Sequence, residues 1–394
     1  MNSKAILFAV FLFVILGRHD LGETRSSTSA QELLNLGMIE LGKGRYDRAV
    51  DALREAIRLS PDLAAAHRTL GETYAAFGRN QDAIACFLEA SRLDPLDAQA
   101  QIGLGNAYQA LRRPREAIGA FKQAASIQPN STEALVNLGN ILASVGPLEE
   151  AIEHYKRAVT LDPALVQAYA NLGMTYRRLG RDDEAAAAFS KAIRFNANDP
   201  ALHSMLGDAY AELGQYAEAV ESFNQLERMQ DPSENLYRRR GFLNLYLARG
   251  DGAAADGRAC LDVIGWQAEA SQYMALLAHF GSRQAEKPEE AARMLEESAN
   301  RCNQSKWPYP VLQYLRGELE SREVLARAIN NDDRTEAHGY IGLDLALKGK
   351  IKEALEHFSW VREYGNRQFV EYKFALAELK RMEDSGKLPG PEVK

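Results

Sequence analysis

Cysteine is scarce in this chain of 394 residues, and its three copies follow no pattern. Cys86, Cys260 and Cys302 lie far apart and form none of the Cys-x-x-Cys pairs that are typical of zinc sites. Neither a disulfide framework nor a structural metal is therefore indicated. We expect small buried apolar side chains at these positions, with a Cys260–Cys302 bridge left open for an oxidising compartment.

Long basic stretches and catalytic motifs are missing as well. The chain has 47 Lys+Arg against 54 Asp+Glu, a formal net charge of -7, so we expect no nucleic-acid partner. The run Arg238-Arg239-Arg240 is interpreted as a solvated helix face. No phosphate loop, dinucleotide fingerprint or Gly-x-Ser-x-Gly elbow occurs, and the histidines do not pair at ligand spacing on one helix.

These missing motifs predict a protein that is not an enzyme and that uses no cofactor and no metal. The alternative is a helical-repeat enzyme of unknown chemistry, since catalytic groups can converge in space without any sequence motif. A pocket with strongly perturbed titratable groups would favour that alternative.

Apolar residues form one long run, at the N-terminus. Lys4 precedes uninterrupted apolar residues 5–16, and the polar Arg18, His19 and Asp20 follow, which is the layout of a secretory signal. The run is shorter than the roughly 20 residues of a membrane-spanning helix. We predict a signal peptide or N-terminal anchor plus flexible lead-in over residues 1–29. The chain is then exported, periplasmic or otherwise extracytoplasmic, alternatively anchored by this segment.

What the sequence does contain is a repeat of 34 residues. Glycine recurs at this spacing, as Gly37, Gly71, Gly105, Gly139, Gly173, Gly207 and Gly241. An alanine follows twelve residues after each of the first six glycines, and a leucine or aromatic residue follows four residues after that alanine. Glycine and alanine let two helices cross closely, and the larger side chain fills the space beyond the crossing. Gly78 and Gly180 are expected to end first helices in the left-handed conformation, where the third repeat has Arg112 instead.

The residues Asn171-Leu172-Gly173-Met174-Thr175-Tyr176, followed by Ala185, Phe189 and Ala192, resemble the tetratricopeptide repeat. This resemblance implies an all-α fold, a right-handed superhelix or α-solenoid of antiparallel helix pairs, with a divergent helical C-terminal half. We place six repeats in residues 30–231 and degenerate helical repeats in residues 232–305. A Trp-Pro corner, a terminal repeat and a capping helix follow in residues 306–383, and a disordered tail in residues 384–394.

The degenerate part carries two further expectations. Gly250, Gly252 and Gly257 are expected to break the second helix of repeat seven, and the Trp307-Pro308-Tyr309-Pro310 segment is expected to form a non-helical corner. The C-terminal part is weakly similar to periplasmic tetratricopeptide lipoproteins of the NlpI type. That similarity implies an adaptor that tethers enzymes of the cell envelope.

In the tetratricopeptide family, fixed positions of each first helix line a peptide-binding groove. The matching positions here, together with a partial asparagine series, are Asn35, Gln99, Asn106, Gln109, Asn137, Asn140, Gln167, Asn171, Met174 and Arg177. Asn35, Asn137 and Asn171 resemble the asparagine ladder of O-linked N-acetylglucosamine transferases, in which amides hold the backbone of the client. Asparagines that bond only between neighbouring helices are the alternative.

These patterns together predict a non-catalytic, exported scaffold or adaptor. Its partners would be other proteins or extended peptides, bound in the groove. A homodimer is left open, and a membrane is involved only through an uncleaved N-terminus.

Overall fold

The computed structural model describes residues 29–229 and 232–385. Within these residues it contains 21 helices and no strand, and consecutive helices form antiparallel pairs. The predicted all-α fold is therefore confirmed. The predicted signal segment, apart from Ser29, and most of the predicted tail lie outside the described residues.

The chain divides into two compact units, residues 1–141 and residues 142–394. The first unit contains three helix pairs and most of a seventh helix. These are α1 (Ala30–Gly42), α2 (Tyr46–Leu59), α3 (Ala64–Ala76), α4 (Asn80–Leu93), α5 (Ala98–Ala110), α6 (Pro114–Ile127) and α7 (Thr132–Val145), which ends just beyond the boundary.

The second unit continues with helices of 13 to 15 residues, then two short helices, then three longer ones. The first group is α8 (Leu148–Leu161), α9 (Val166–Arg178), α10 (Asp182–Phe195), α11 (Pro200–Glu212), α12 (Tyr216–Met229), α13 (Glu234–Tyr246), α14 (Gly250–Ile264), α15 (Ser271–Gln284) and α16 (Pro288–Arg301). The others are α17 (Tyr309–Leu315), α18 (Ser321–Arg327), α19 (Asn331–Leu347), α20 (Ile351–Tyr364) and α21 (Val370–Asp384).

Within a repeat, the glycine of the first helix lies directly against the aromatic ring of the second. A Cβ added to Gly105 would lie 2.5 Å from Cε1 of Phe121, and one added to Gly71 would lie 2.8 Å from Cε1 of Phe87. Real Cβ atoms do not approach so closely, so these crossings accept only glycine without movement. The ring therefore occupies the position that a side chain in place of the glycine would take. It does not fill the space beyond the crossing.

The turns between paired helices use the left-handed conformation. Gly78 has a φ of 79° and Gly180 a φ of 70°, in agreement with the sequence interpretation. Arg112 stands at the equivalent point of the third repeat and adopts a φ of 56°. The turn geometry is thus kept in a repeat whose sequence lacks the glycine.

The expectation that glycines break the second helix of repeat seven is wrong. Helix α14 runs without interruption from Gly250 to Ile264. Two of its three glycines allow backbone contact with α15: a Cβ on Gly250 would lie 2.4 Å from the carbonyl oxygen of Gly281, and one on Gly257 would lie 2.8 Å from the amide nitrogen of Ala278. Close packing outweighs the roughly 1 kcal/mol helix penalty of each glycine.

The Trp-Pro corner is shorter than predicted. The chain is not helical at Trp307 and Pro308, but α17 begins at Tyr309 and includes Pro310 in its first turn. Proline is tolerated there because the first amide groups of a helix have no partner within the helix. Two short helices, α17 and α18, then lead into α19.

The three cysteines are unpaired. Cys260 and Cys302 are buried, and Cys86 is partly buried. The Cys260 thiol donates to the carbonyl oxygen of Glu234 at 3.7 Å, so the bridge that the sequence left open is not formed. No helix in the described ranges combines the length and the apolar character that crossing a membrane requires.

Candidate functional site

Three predicted groove residues lie together on α5 in the first unit. Gln99, Asn106 and Gln109 are exposed there. The Gln99 amide donates to Oε2 of Glu133 at 3.4 Å, a contact between equivalent positions of successive repeats. Asn35, on α1, is also exposed and accepts from the Gln31 amide at 3.3 Å. Amide groups therefore recur on the first helices of this unit.

The asparagine series is interrupted for a steric reason. Asn137 and Asn140 are half-buried on α7. The position of Asn137 is taken by Gly103 in the preceding repeat, where an added Cβ would lie 2.4 Å from Cζ of Phe87. Any larger side chain there would collide with this ring. The gap is thus imposed by packing between neighbouring repeats.

The remaining predicted groove residues lie on α9 in the second unit. Gln167 and Met174 are exposed, while Asn171 is half-buried. Arg177 forms an ion pair with Asp208 of α11, with 3.3 Å between Nη1 and Oδ2. Its guanidinium is therefore held by the next repeat.

A cavity of about 550 Å³ lies within the second unit, and no sequence pattern indicates it. It is lined by residues of α9, α11, α12 and α13 together with residues of α15, α19 and the start of α21. Its size falls in the range of small-molecule and peptide side-chain pockets, about 300 to 1,000 Å³.

The C-terminal helix is fixed to the repeat helices at this cavity. Lys373 contacts Glu212 with 2.9 Å between Nζ and Oε1, and the Tyr246 hydroxyl donates to the carbonyl oxygen of Val370 at 3.2 Å. Arg381 donates to the carbonyl oxygen of Tyr246. These contacts join residues more than 120 positions apart, so no local sequence pattern indicates them.

The arginine run does not form a solvated face. Successive residues of a helix are about 100° apart, so the three side chains point to different surroundings. Arg240 is buried and paired with Asp256 at 2.7 Å and Glu227 at 2.6 Å. Arg239 pairs with Asp208. Arg238 alone is exposed, and it lines the cavity.

Two buried carboxyl groups lie at the cavity. Burial raises the pKa of Glu336 to about 8 and that of Glu371 to about 7, and the charge of Glu371 contributes to the shift of Glu336. Glu336 accepts from the Trp307 indole at 2.6 Å and from the Tyr273 hydroxyl at 3.3 Å. Glu371 accepts from the Tyr340 hydroxyl at 2.7 Å. A large share of both carboxyls is therefore protonated near neutral pH.

A histidine pair lies elsewhere in the second unit, between α19 and α20. The Nδ1 atoms of His338 and His357 are 3.0 Å apart, and the His338 ring stacks on Trp360 with centroids 4.1 Å apart. Burial lowers the pKa of His338 to about 4 and also lowers that of His357. In the described part of the chain, no three His, Cys, Asp or Glu residues are grouped as metal ligands.

Matches to family models identify the repeat. Residues 34–98 and 68–131 match a family model described as tetratricopeptide repeat, and residues 201–231 match a second model with that description. Residues 139–180 and 173–214 match a model described as TPR repeat. This chain contains tetratricopeptide repeats over residues 34–131 and 139–231. The similarity of its C-terminal part to NlpI-type lipoproteins stays a prediction.

Solved structures similar to this tetratricopeptide-repeat protein include MamA, with 29% identity over 41% of this chain and 95% of that chain, at a TM-score of 0.39. YrrB, described as a TPR protein with an unusual peptide-binding site, is 25% identical over 43% and 87% of the two chains, at 0.38. PilF of Pseudomonas aeruginosa is 22% identical over 53% and 95%, at 0.44. No curated protein sequence matches the chain. The assignment rests on the repeat models, since these TM-scores are below 0.5.

Proposed function

We propose that this tetratricopeptide-repeat protein is an exported, non-catalytic adaptor that binds extended segments of partner proteins on the inner positions of its first helices. The supporting observation is the set of exposed amides on α5. Asn106 and Gln109 make no side-chain hydrogen bond to any described residue, although each offers a donor and an acceptor. Such groups suit the main chain of an extended peptide whatever its side chains. The apolar run of residues 5–16 supports export.

A second candidate, a helical-repeat enzyme, is favoured by one observation. The cavity of the second unit has two carboxyl groups with raised pKa values, Glu336 and Glu371, which is a common property of catalytic acids. Hydrogen bonds from Trp307, Tyr273 and Tyr340 already engage these carboxyls. We therefore interpret them as part of the packing between α15, α19 and α21, and we prefer the adaptor.

A peptide-binding measurement tests the adaptor proposal. Wild-type protein and the double variant Asn106→Ala/Gln109→Ala are compared for binding to a library of fluorescent extended peptides. We expect wild-type binding and a loss of about tenfold in the double variant, since two hydrogen bonds of about 0.5 to 1.5 kcal/mol each are removed.

The matched control is Gln123→Ala/Ser126→Ala, which removes two exposed polar groups from α6, the second helix of the same repeat. Its affinity should equal that of the wild type. Equal losses in both double variants, or no binding by the wild type to any peptide, would contradict the proposal.

A further inference from the structure

The lining of the cavity in the second unit includes positions that the sequence predicts to face the groove. Asp208 on α11 and Phe242 on α13 lie one and two repeat lengths after Met174, a predicted groove residue on α9. Arg177 and Glu212 line the same space. Residues of three successive first helices, α9, α11 and α13, therefore line one cavity together with residues at the start of α21.

Aromatic side chains contribute to the lining of this cavity. Phe242 and Tyr246 of α13 line it together with Phe369, which immediately precedes α21. The rings of Tyr246 and Tyr216 are in contact, with centroids 5.1 Å apart. Phe242 and Tyr246 are each only 5% exposed, so the partly buried Phe369 offers most of the aromatic surface for an apolar or aromatic side chain.

The charges around the cavity leave one cation without a carboxylate. Arg177 and Arg239 pair with Asp208, and Lys373 pairs with Glu212. Arg238 is exposed at the cavity, and its guanidinium donates only to the Asn235 side chain, at 3.4 Å. A guanidinium presents a rigid set of donors that matches a carboxylate.

The surface continues out of the cavity along α9. Met174 is 40% exposed and lies one turn before Arg177 on the same helix. Gln167, two turns earlier again, is exposed as well.

We propose that this cavity binds an acidic, aromatic-containing segment of a partner protein, with a carboxylate on Arg238 and a neighbouring ring against Phe369. The inference rests on the adaptor function and adds the chemical class of one ligand. It also gives α21 a role as one wall of a binding site, in addition to closing the repeat array.

The test uses full-length protein and three short fluorescein-labelled peptides. The first alternates Glu and Phe in a Gly/Ser background, the second has Gln in place of Glu, and the third has Ala in place of Phe. Fluorescence anisotropy is measured at low and at high salt. We expect the Glu/Phe peptide to bind about tenfold more tightly than either of the others, and its advantage over the Gln peptide to shrink at high salt.

Arg238→Gln should reduce binding of the Glu/Phe peptide about tenfold and abolish its advantage over the Gln peptide. The matched control is Arg228→Gln, which removes an exposed arginine from α12 that does not line the cavity. It should bind as the wild type does. Because both arginines are exposed, both variants should keep the wild-type thermal midpoint.

Equal affinities of the two arginine variants, or no preference for Glu over Gln, would overturn the inference. Free glutamate that competes as strongly as the peptide would also overturn it, since the ligand would then be a small anion. Peptide binding that depends on Asn106 and Gln109 but not on Arg238 would leave the adaptor function intact and refute this site alone.

Discussion

At the scale of single residues, the repeat depends on contact between a glycine and a ring. The Phe87, Phe121 and Phe189 rings are almost completely buried, and each lies against the glycine sixteen positions earlier. The pairing explains why the glycine and the aromatic residue recur together at a fixed separation. It also identifies positions at which one added methyl group has to displace a buried ring.

Substitution of Gly105 by leucine tests this contact. The new side chain would collide with Phe121, and we expect a loss of about 1 to 3 kcal/mol in the free energy of unfolding, measured by urea denaturation. The matched control is Gly119→Leu on α6, where an added Cβ meets nothing within 4 Å. That variant should be as stable as the wild type or gain up to about 1 kcal/mol from helix propensity. A stable Gly105→Leu protein would contradict the packing interpretation.

The sequence predicted these individual positions well where the cause is local. The left-handed glycines follow from turn chemistry. Gly103 could not be predicted in this way, because its role comes from the Phe87 ring of the preceding repeat. The pairing of His338 with His357 was missed for a similar reason, since the two residues are on different helices and have no motif spacing.

At the scale of elements, the turns and the helix crossings follow different rules. Arg112 has a φ of 56°, which is unfavourable for a residue with a Cβ atom. Arg112→Gly should therefore stabilise the protein by about 1 kcal/mol, seen as a higher thermal midpoint of the first unit. The reverse change at the equivalent turn, Gly78→Arg, should lower that midpoint by a similar amount. Equal midpoints for Arg112→Gly and the wild type would contradict the strain argument.

The crossing of α14 and α15 provides a second prediction. A Cβ on Gly281 would lie 2.4 Å from the amide nitrogen of Ala254, so the helices have to separate in Gly281→Ala. We expect a loss of about 1 to 3 kcal/mol in unfolding free energy despite the better helix propensity of alanine. Gly252→Ala is the control, since its Cβ would meet only the Asn244 side chain. Its loss in the same chemical denaturation experiment should be clearly smaller.

The error about α14 is informative at this scale. Three glycines in a short segment indicate a helix break when only the local sequence is considered. The partner, α15, begins at Ser271, and neither its register nor its distance from α14 is encoded in a local pattern. The same limit applies to the cavity, whose walls come from distant parts of the chain.

At the scale of the whole molecule, buried titratable groups give stability two opposing dependences on pH. Folding raises the pKa values of Glu336 and Glu371. Their contribution to stability is therefore complete below about pH 4.5 and is lost as the pH rises to about 8. Folding lowers the pKa values of His338 and His279 to about 4, so stability is also lost as the pH falls from about 6.5 towards 4.

Two variants separate these effects. Glu371→Gln keeps an acceptor for the Tyr340 hydroxyl and should weaken the loss of stability between about pH 5 and 8.

His338→Phe keeps a ring on Trp360 and should weaken the loss of stability between about pH 6.5 and 4. Tryptophan fluorescence during denaturation measures both, because all three tryptophans lie in the second unit. Unchanged pH profiles would show that these groups do not control stability.

The backbone contact between α14 and α15 also has a consequence for hybrid proteins made from these repeats. Most helices of repeat proteins contact each other through side chains. When one repeat is exchanged for another, those side chains can change conformation to fit. Here the backbones of α14 and α15 are in direct contact, and no side chain at the contact can move to accommodate a new partner. Residues 250–284 should therefore be transferred together when a hybrid is made. A hybrid whose junction lies between α14 and α15 should be insoluble.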